Sequence, residues 1–178
     1  QLVAGVLQRR LVPVEDSALG WTIRHCCQST KPFTLRDVGR EMAEPADEVV
    51  AMSYGSPAEL ARDTADVRLA LDKLCNRTLK GMFDGPTTVD IDWDNGPGVL
   101  LDLSEVYSNL DAFPLTMIAA TYWLSAALRG RPDRRAVQVI DEAWAAVQHG
   151  AAYFQSSLKL ARAHGVATVL VVHRPADL

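Results

Sequence analysis

Cysteine is scarce in this sequence, and its placement excludes the usual uses of the residue. Cys26 and Cys27 are adjacent, and Cys75 stands alone. Adjacent cysteines rarely pair with each other, the count is odd, and no Cys-x-x-Cys occurs. Neither a disulfide framework nor a zinc site is therefore expected, and a reducing cytosol is the simplest setting. Long apolar runs are also missing: none approaches the ~20 residues needed to cross a bilayer. Basic residues are not in excess. The formal net charge is -4, which argues against a sequence-independent nucleic-acid surface as the main feature, because such a surface needs a clear surplus of Lys and Arg. A local basic patch remains open. No internal repeat, low-complexity tract or signal peptide is visible. The chain starts at Gln1 without a Met and stops at Leu178 just after a strand-like run. The expectation is a fragment, so the missing targeting signal carries little weight.

What is present suits one domain of ordinary size, or one and a half small ones: 178 residues, 48% of them hydrophobic. The first half reads as helices. Gln1 to Val12 and Ser17 to Cys27 are candidates, and Thr34 is placed to cap a short helix in "TLRDVGREMA". The clearest start is "SPAEL", with Ser56 as N-cap, Pro57 at the first helical position and Glu59 closing a capping box. The helix that follows is expected to run to about Lys80, with Leu60, Val67, Leu71, Leu74 and Cys75 on one packed face.

The texture changes at "GMFDGPTTVDIDWDNGPG", where Gly, Pro and Asp mark turns around one possible strand at Thr88 to Trp93. A boundary is set near Gly85, giving a helical subdomain over 1–85 and an α/β portion over 86–178. In the second part, strands and helices alternate. "GVLLDLS" reads as a buried strand, and Ala112 to Arg129 as a helix with Asp111 as cap and Pro114 in its first turn, stopped by Gly130 and Pro132. "AVQVID" reads as a second strand. Glu142 to Leu160 reads as helix, broken at His149-Gly150 and resuming to His164. "VATVLVV" reads as a third strand. Such alternation implies a parallel sheet with helices on its faces, and ligands bind at the carboxyl ends of such strands.

Three strand ends would then share one sheet edge: Asp102 with Ser104, Asp141 with Glu142, and His173 with Arg174. A hydrophobic strand delivering two acids, as in "VQVIDE", is the Walker B arrangement with an adjacent catalytic glutamate. The first acid can hold magnesium, usually through its water shell, because the ion prefers hard oxygen ligands. The second can orient and deprotonate a water in phosphoryl transfer. His173 would sit where a polar side chain can sense a terminal phosphate, and Arg174 beside it is a candidate nucleotide contact. A plainer alternative stands next to this: acids also suit the first turn of a helix, where they meet the positive end of its dipole.

Other signals carry less. Arg162, near a helix end, suits the helix dipole, and His149 and His164 suit helix caps. Arg129, Arg131, Arg134 and Arg135 cluster around a loop that could reach a phosphate or DNA, although a solvated loop is the commoner explanation. Asp90, Asp92 and Asp94 are spaced like a calcium loop, but its sixth position is Asn95 instead of Gly and its twelfth is Leu101 instead of Glu. No nucleophile elbow occurs. There is also no Gly-Lys pair, so the Gly-x-x-x-x-Gly-Lys-Ser/Thr loop that cradles phosphates is missing from the sequence.

Taken in order and spacing, "GMFDGPT", "GVLLDLSEVYSN", "FPLTMIAATYWL", "VQVIDEAW" and "KLARAHGVATVLVVHRPADL" resemble the ATPase of bacterial type IV secretion and conjugation systems, the actinobacterial branch most of all. The resemblance covers about Gly81 to Leu178, and the helical half matches by position. It rests chiefly on "IDEAW" followed about thirty residues later by "VVHRPADL". It implies a RecA-like P-loop parallel sheet, with the helical segment inserted between the phosphate loop and the next core strands. It further implies ATP and magnesium as cofactors, Asp141 as the magnesium-associated acid, Glu142 as the catalytic base, and His173 where related motors often carry Gln. Family members act as hexamers at the cytoplasmic face of a secretion channel and energise transport of protein and DNA. The partners implied are thus ATP, channel proteins, DNA and further copies of the chain, and the implied location is cytoplasmic, at the inner face of the cell membrane. Two alternatives remain. Another RecA-like DNA translocase or helicase would keep the acid roles and change the partner. A non-catalytic interaction module would make the helical half the functional part and the acids mere caps.

Overall fold

The computed structural model describes residues 1–52, 56–88, 96, 98–129, 135–144, 158–159, 161–162 and 165–174. The chain divides into two compact units, Val6–Asp90 on the one hand and Gln1–Gly5 with Ile91–Leu178 on the other. Among the described residues, no helix is long and apolar enough to cross a membrane.

The first of these units is helical. After α1 (Leu2–Leu7), which straddles the division, come α2 (Pro13–Gln28), α3 (Leu35–Ala43), α4 (Asp47–Met52), α5 (Pro57–Asp63) and α6 (Ala65–Asn76). Local chemistry sets the helix starts. Pro13 takes the first turn of α2, where its missing N–H costs nothing. Thr34 donates both its backbone N–H and its hydroxyl to Asp37 Oδ2, each at 2.9 Å. Ser56 closes the full capping box: its N–H donates to Glu59 Oε2 at 2.9 Å, and Glu59 N–H returns to Ser56 Oγ at 3.3 Å.

Packing does the rest. Helix α3 lies against α2 and α6, and the core between them is built from Val38, Met42, Val67, Leu71 and Leu74. All five residues read from the sequence as one packed face (Leu60, Val67, Leu71, Leu74 and Cys75) are buried. The helix that carries them is not continuous, however. It breaks at Thr64, whose hydroxyl donates to Leu60 O at 2.7 Å, as does its own N–H at 3.0 Å. A threonine that bonds back onto the preceding turn offers the backbone an alternative to the next helical bond. The first helices also differ from expectation at their ends: α1 stops at Leu7, and α2 begins earlier, at Pro13.

Ion pairs lock this unit. Arg9 binds both oxygens of Glu15, at 2.7 Å each, and reaches Asp66 Oδ2 at 2.7 Å. Arg36 pairs with Asp84, and its guanidinium also donates to Cys75 O at 3.1 Å. Asp84 accepts the N–H of Gly81 at 2.6 Å, and Gly81 has φ +91°, a left-handed turn that glycine enters without steric cost.

In the other unit, α8 (Ala112–Arg129) has the expected bounds. Asn109 leads into its start: Oδ1 accepts the N–H of Asp111, just before the helix, at 3.1 Å and that of Ala112, its first residue, at 3.0 Å. Gly5 lies against this helix; a Cβ there would come within 2.7 Å of Leu115 Cδ2. The strands β1 (Ala136–Ile140) and β2 (Val166–Leu170) pair in parallel, from Ala136↔Val166 to Ile140↔Leu170. One face of the pair is covered: Ile140, Leu170 and Val172 pack with Met117 of α8 and with Leu158, while Val166 and Ala136 pack with Leu124 and Ala161. The opposite face leaves Val137, Val139, Val169 and Val171 exposed.

One expectation fails outright. The segment "GVLLDLS" forms no strand. Residues 98–103 are irregular, Leu100 is 92% exposed, and Asp102 Oδ1 accepts the Ser104 N–H at 2.9 Å to open the short helix α7 (Ser104–Tyr107). An aspartate that bonds the backbone two residues on turns the chain where a strand would run straight. Tyr107 then stacks edge-on against Phe113, ring centroids 5.3 Å apart. Apart from Thr88, the strand expected at Thr88 to Trp93 lies outside the described residues, as does most of the helix expected over Glu142 to Leu160 and on to His164; Glu142, expected to open that helix, stands in a turn.

Candidate functional site

Parallel pairing puts the ends of β1 and β2 at one edge. The ladder continues past both strands: Val171 N–H donates to Ile140 O at 2.9 Å, and Ala143 N–H donates to Val171 O at 3.1 Å. Between those two bonds the chain must turn within Asp141 and Glu142. It does so by placing Glu142 at φ +52°, a left-handed conformation that side-chain-bearing residues rarely adopt. Asp141 assists, since its Oδ1 accepts the Glu142 N–H at 3.0 Å. Ala143 is fully buried beside Ile140, which anchors the far side of the turn.

The turn delivers the Glu142 carboxylate to two donors. Trp144 Nε1 donates to Oε2, and His173 Nε2 lies 2.9 Å from Oε1. These contacts hold the carboxyl below its usual range, with the indole bond the larger cause and the histidine contact adding to it. Glu142 is half-buried, whereas Asp141, His173 and Arg174 are exposed. Glu142 and His173, read from the sequence as strand-end neighbours, are in direct contact. Asp141 and Arg174 stand at the same edge. Asp102 and Ser104 are not part of it, because the strand expected to carry them does not form. Of the basic cluster, Arg131 and Arg134 lie outside the described residues, as do His149 and His164.

Trp144 is not among the candidate residues that the sequence singles out. Its signal was available: a residue with a single strong N–H donor and no acceptor, two positions after a candidate base. Among the described residues there is no group of three or more His, Cys, Asp or Glu able to hold a metal. A lone exposed carboxylate such as Asp141, with one oxygen already on a backbone N–H, fits magnesium bound mainly through water and phosphate; it does not fit a protein cage.

No protein-family model matches the chain, and neither a curated protein nor a solved structure is significantly similar to it.

Proposed function

We propose that this chain carries the water-activating edge of a P-loop motor ATPase of the kind that powers type IV secretion and conjugation. The observation that supports this most is the strand-end arrangement: an acid pair follows a hydrophobic strand, and the second acid is held by a residue from the end of the parallel neighbour, His173, at 2.9 Å. In the competing view both acids simply meet the positive end of a helix dipole. Asp141 is compatible with that view, with its Oδ1 on the adjacent Glu142 N–H. The Glu142 oxygens go instead to an indole and an imidazole.

In this reading, Asp141 would help hold magnesium, and the ion would supply neutralisation of charge on the nucleotide phosphates. Glu142 orients a water and takes its proton. The water oxygen then bonds to the terminal phosphorus as the bond to the bridging oxygen breaks, and ADP leaves. His173, exposed and in contact with Glu142, would report on the terminal phosphate in this reading, and Arg174 is a candidate phosphate contact. The phosphate-cradling loop has to come from residues outside these 178, because no Gly-Lys pair occurs here. Transport of protein or DNA, hexamer formation and a place at the cytoplasmic side of a channel belong to this proposal by resemblance alone.

The test is Glu142→Gln in the protein that carries this chain. Turnover should fall by about 10²–10⁴, the usual contribution of a general base, with ATP binding retained. Unchanged hydrolysis would remove Glu142 from the mechanism. The 178-residue chain by itself should bind ATP weakly or not at all in calorimetry, and tight magnesium-dependent binding would contradict the need for an external loop.

A further inference from the structure

We infer that Trp144 is a positioning residue for Glu142, fixing one carboxylate oxygen so that the other is the one presented to water. The inference rests on the assignment of Glu142 as the base and concerns how that base is aimed. A carboxylate on a flexible side chain has two equivalent oxygens and free rotation about its last bond, so an unaided glutamate presents a spread of orientations. Here the two oxygens are not equivalent. Oε2 is taken by the Trp144 indole N–H and Oε1 by His173.

The two holders differ in kind. Trp144 is half-buried and follows Ala143, which is fully buried in the sheet core. Its indole is donor-only, so it pairs naturally with the ionised carboxylate. His173 has a side chain 76% exposed, at the open end of β2, and an imidazole nitrogen that donates or accepts according to its tautomer. Trp144 is the fixed arm of the clamp and His173 the exchangeable one. A water entering the site displaces or joins His173 at Oε1, while Oε2 stays on the indole.

The contact is tested on the 178-residue chain by following its indole N–H resonances, which arise from Trp21, Trp93, Trp123 and Trp144, with Trp144 assigned by its loss in Trp144→Phe. Glu142→Ala should shift the Trp144 resonance upfield and speed its exchange with solvent. His173→Ala should leave it near its original position. A Trp144 resonance unmoved by Glu142→Ala overturns the inference, and this readout keeps Trp144 itself intact. The role is tested by ATP turnover in the protein that carries the chain. Trp144→Phe retains the aromatic body and loses the donor, so kcat should fall about tenfold with KM unchanged, the size expected for one hydrogen bond. If Glu142→Gln abolishes turnover while Trp144→Phe leaves kcat intact, the positioning role fails and the base survives. If Glu142→Gln retains full turnover, the base assignment fails and takes the positioning role with it.

Discussion

Glu15 and Glu142 each have both carboxylate oxygens occupied, and the contrast between them separates a structural contact from a candidate site. Glu15, in the helical unit, is 2% exposed and gripped by the fork of Arg9, with the Val12 N–H added at 2.9 Å. Glu142, at the sheet edge, is held by a neutral indole and by an exposed imidazole, on a backbone in the left-handed region. The first arrangement is closed: a permanent cation, fixed geometry and little access. The second is open on one side and carries local strain. Bidentate arginine pairing is the strong form of a carboxylate contact, and it suits a group meant never to change partner. A base in phosphoryl transfer, the role proposed for Glu142, must exchange a partner for water in every cycle.

The comparison extends to the surroundings. The helical unit buries Val67 and Leu74 completely, whereas the sheet leaves four valines of one face exposed. Parallel sheets are usually covered on both faces; among the described residues this pair of strands is covered on one. The sharpest break in the comparison would come from the helical core. Leu74→Ala should cost about 2–5 kcal/mol, the range for emptying a fully buried leucine site. Urea unfolding monitored by circular dichroism checks this. A cost below ~1 kcal/mol would mean that this core is loosely packed and no better ordered than the sheet edge.

Acid should also act unequally. The Arg9 guanidinium holds the Glu15 carboxyl below its ordinary value of 4.5. A carboxylate whose folded pKa is depressed contributes stability above its unfolded pKa and loses it as the pH falls through the folded value. The Glu15 contribution is therefore full at neutral pH and declines from about pH 4.5 downward. Arg9→Ala leaves a buried acceptor without its cation, at a cost of about 1–3 kcal/mol at pH 7. That cost should shrink at pH 3, where the carboxyl takes up a proton more readily. Equal costs at the two pH values would show that Arg9 acts through packing alone.

Much of this organisation could be read in advance, and the failures have physical causes. The Ser56 capping box, the bounds of α8 and the buried stripe through Leu71 follow from spacing and turn chemistry, which act within a few residues. The acid pair after β1 and the histidine after β2 were visible as separate signals, and their meeting depended on parallel register. "GVLLDLS" misled because an apolar run specifies burial only if a partner strand accepts it. Here residues 98–103 pair with no strand among the described residues, and Asp102 turns the chain into α7 just after the run. The break at Thr64 turned on a single hydroxyl bonding backwards, and the Trp144 contact on a rotamer and a left-handed turn. None of these leaves a mark on hydrophobic periodicity.

The smallest effect sharpens the comparison most, because it sets stability against function at one residue. Glutamate at φ +52° pays a steric penalty that glycine avoids. Glu142→Gly should therefore raise the unfolding midpoint by about 2–4 °C, offset in part by the greater freedom that glycine gives the unfolded chain, and, on the proposed function, it should remove ATP turnover in the protein that carries the chain. Differential scanning calorimetry of the chain reads the first quantity. A functional residue kept in a strained conformation is stabilised by its removal, whereas a structural cap is destabilised by it, as Ser56→Ala should be by about 1 kcal/mol. If Glu142→Gly lowers the midpoint as Ser56→Ala does, the contacts of Glu142 with Trp144 and His173 outweigh the backbone strain. Glu142 then belongs with Glu15, among the groups that hold the fold together.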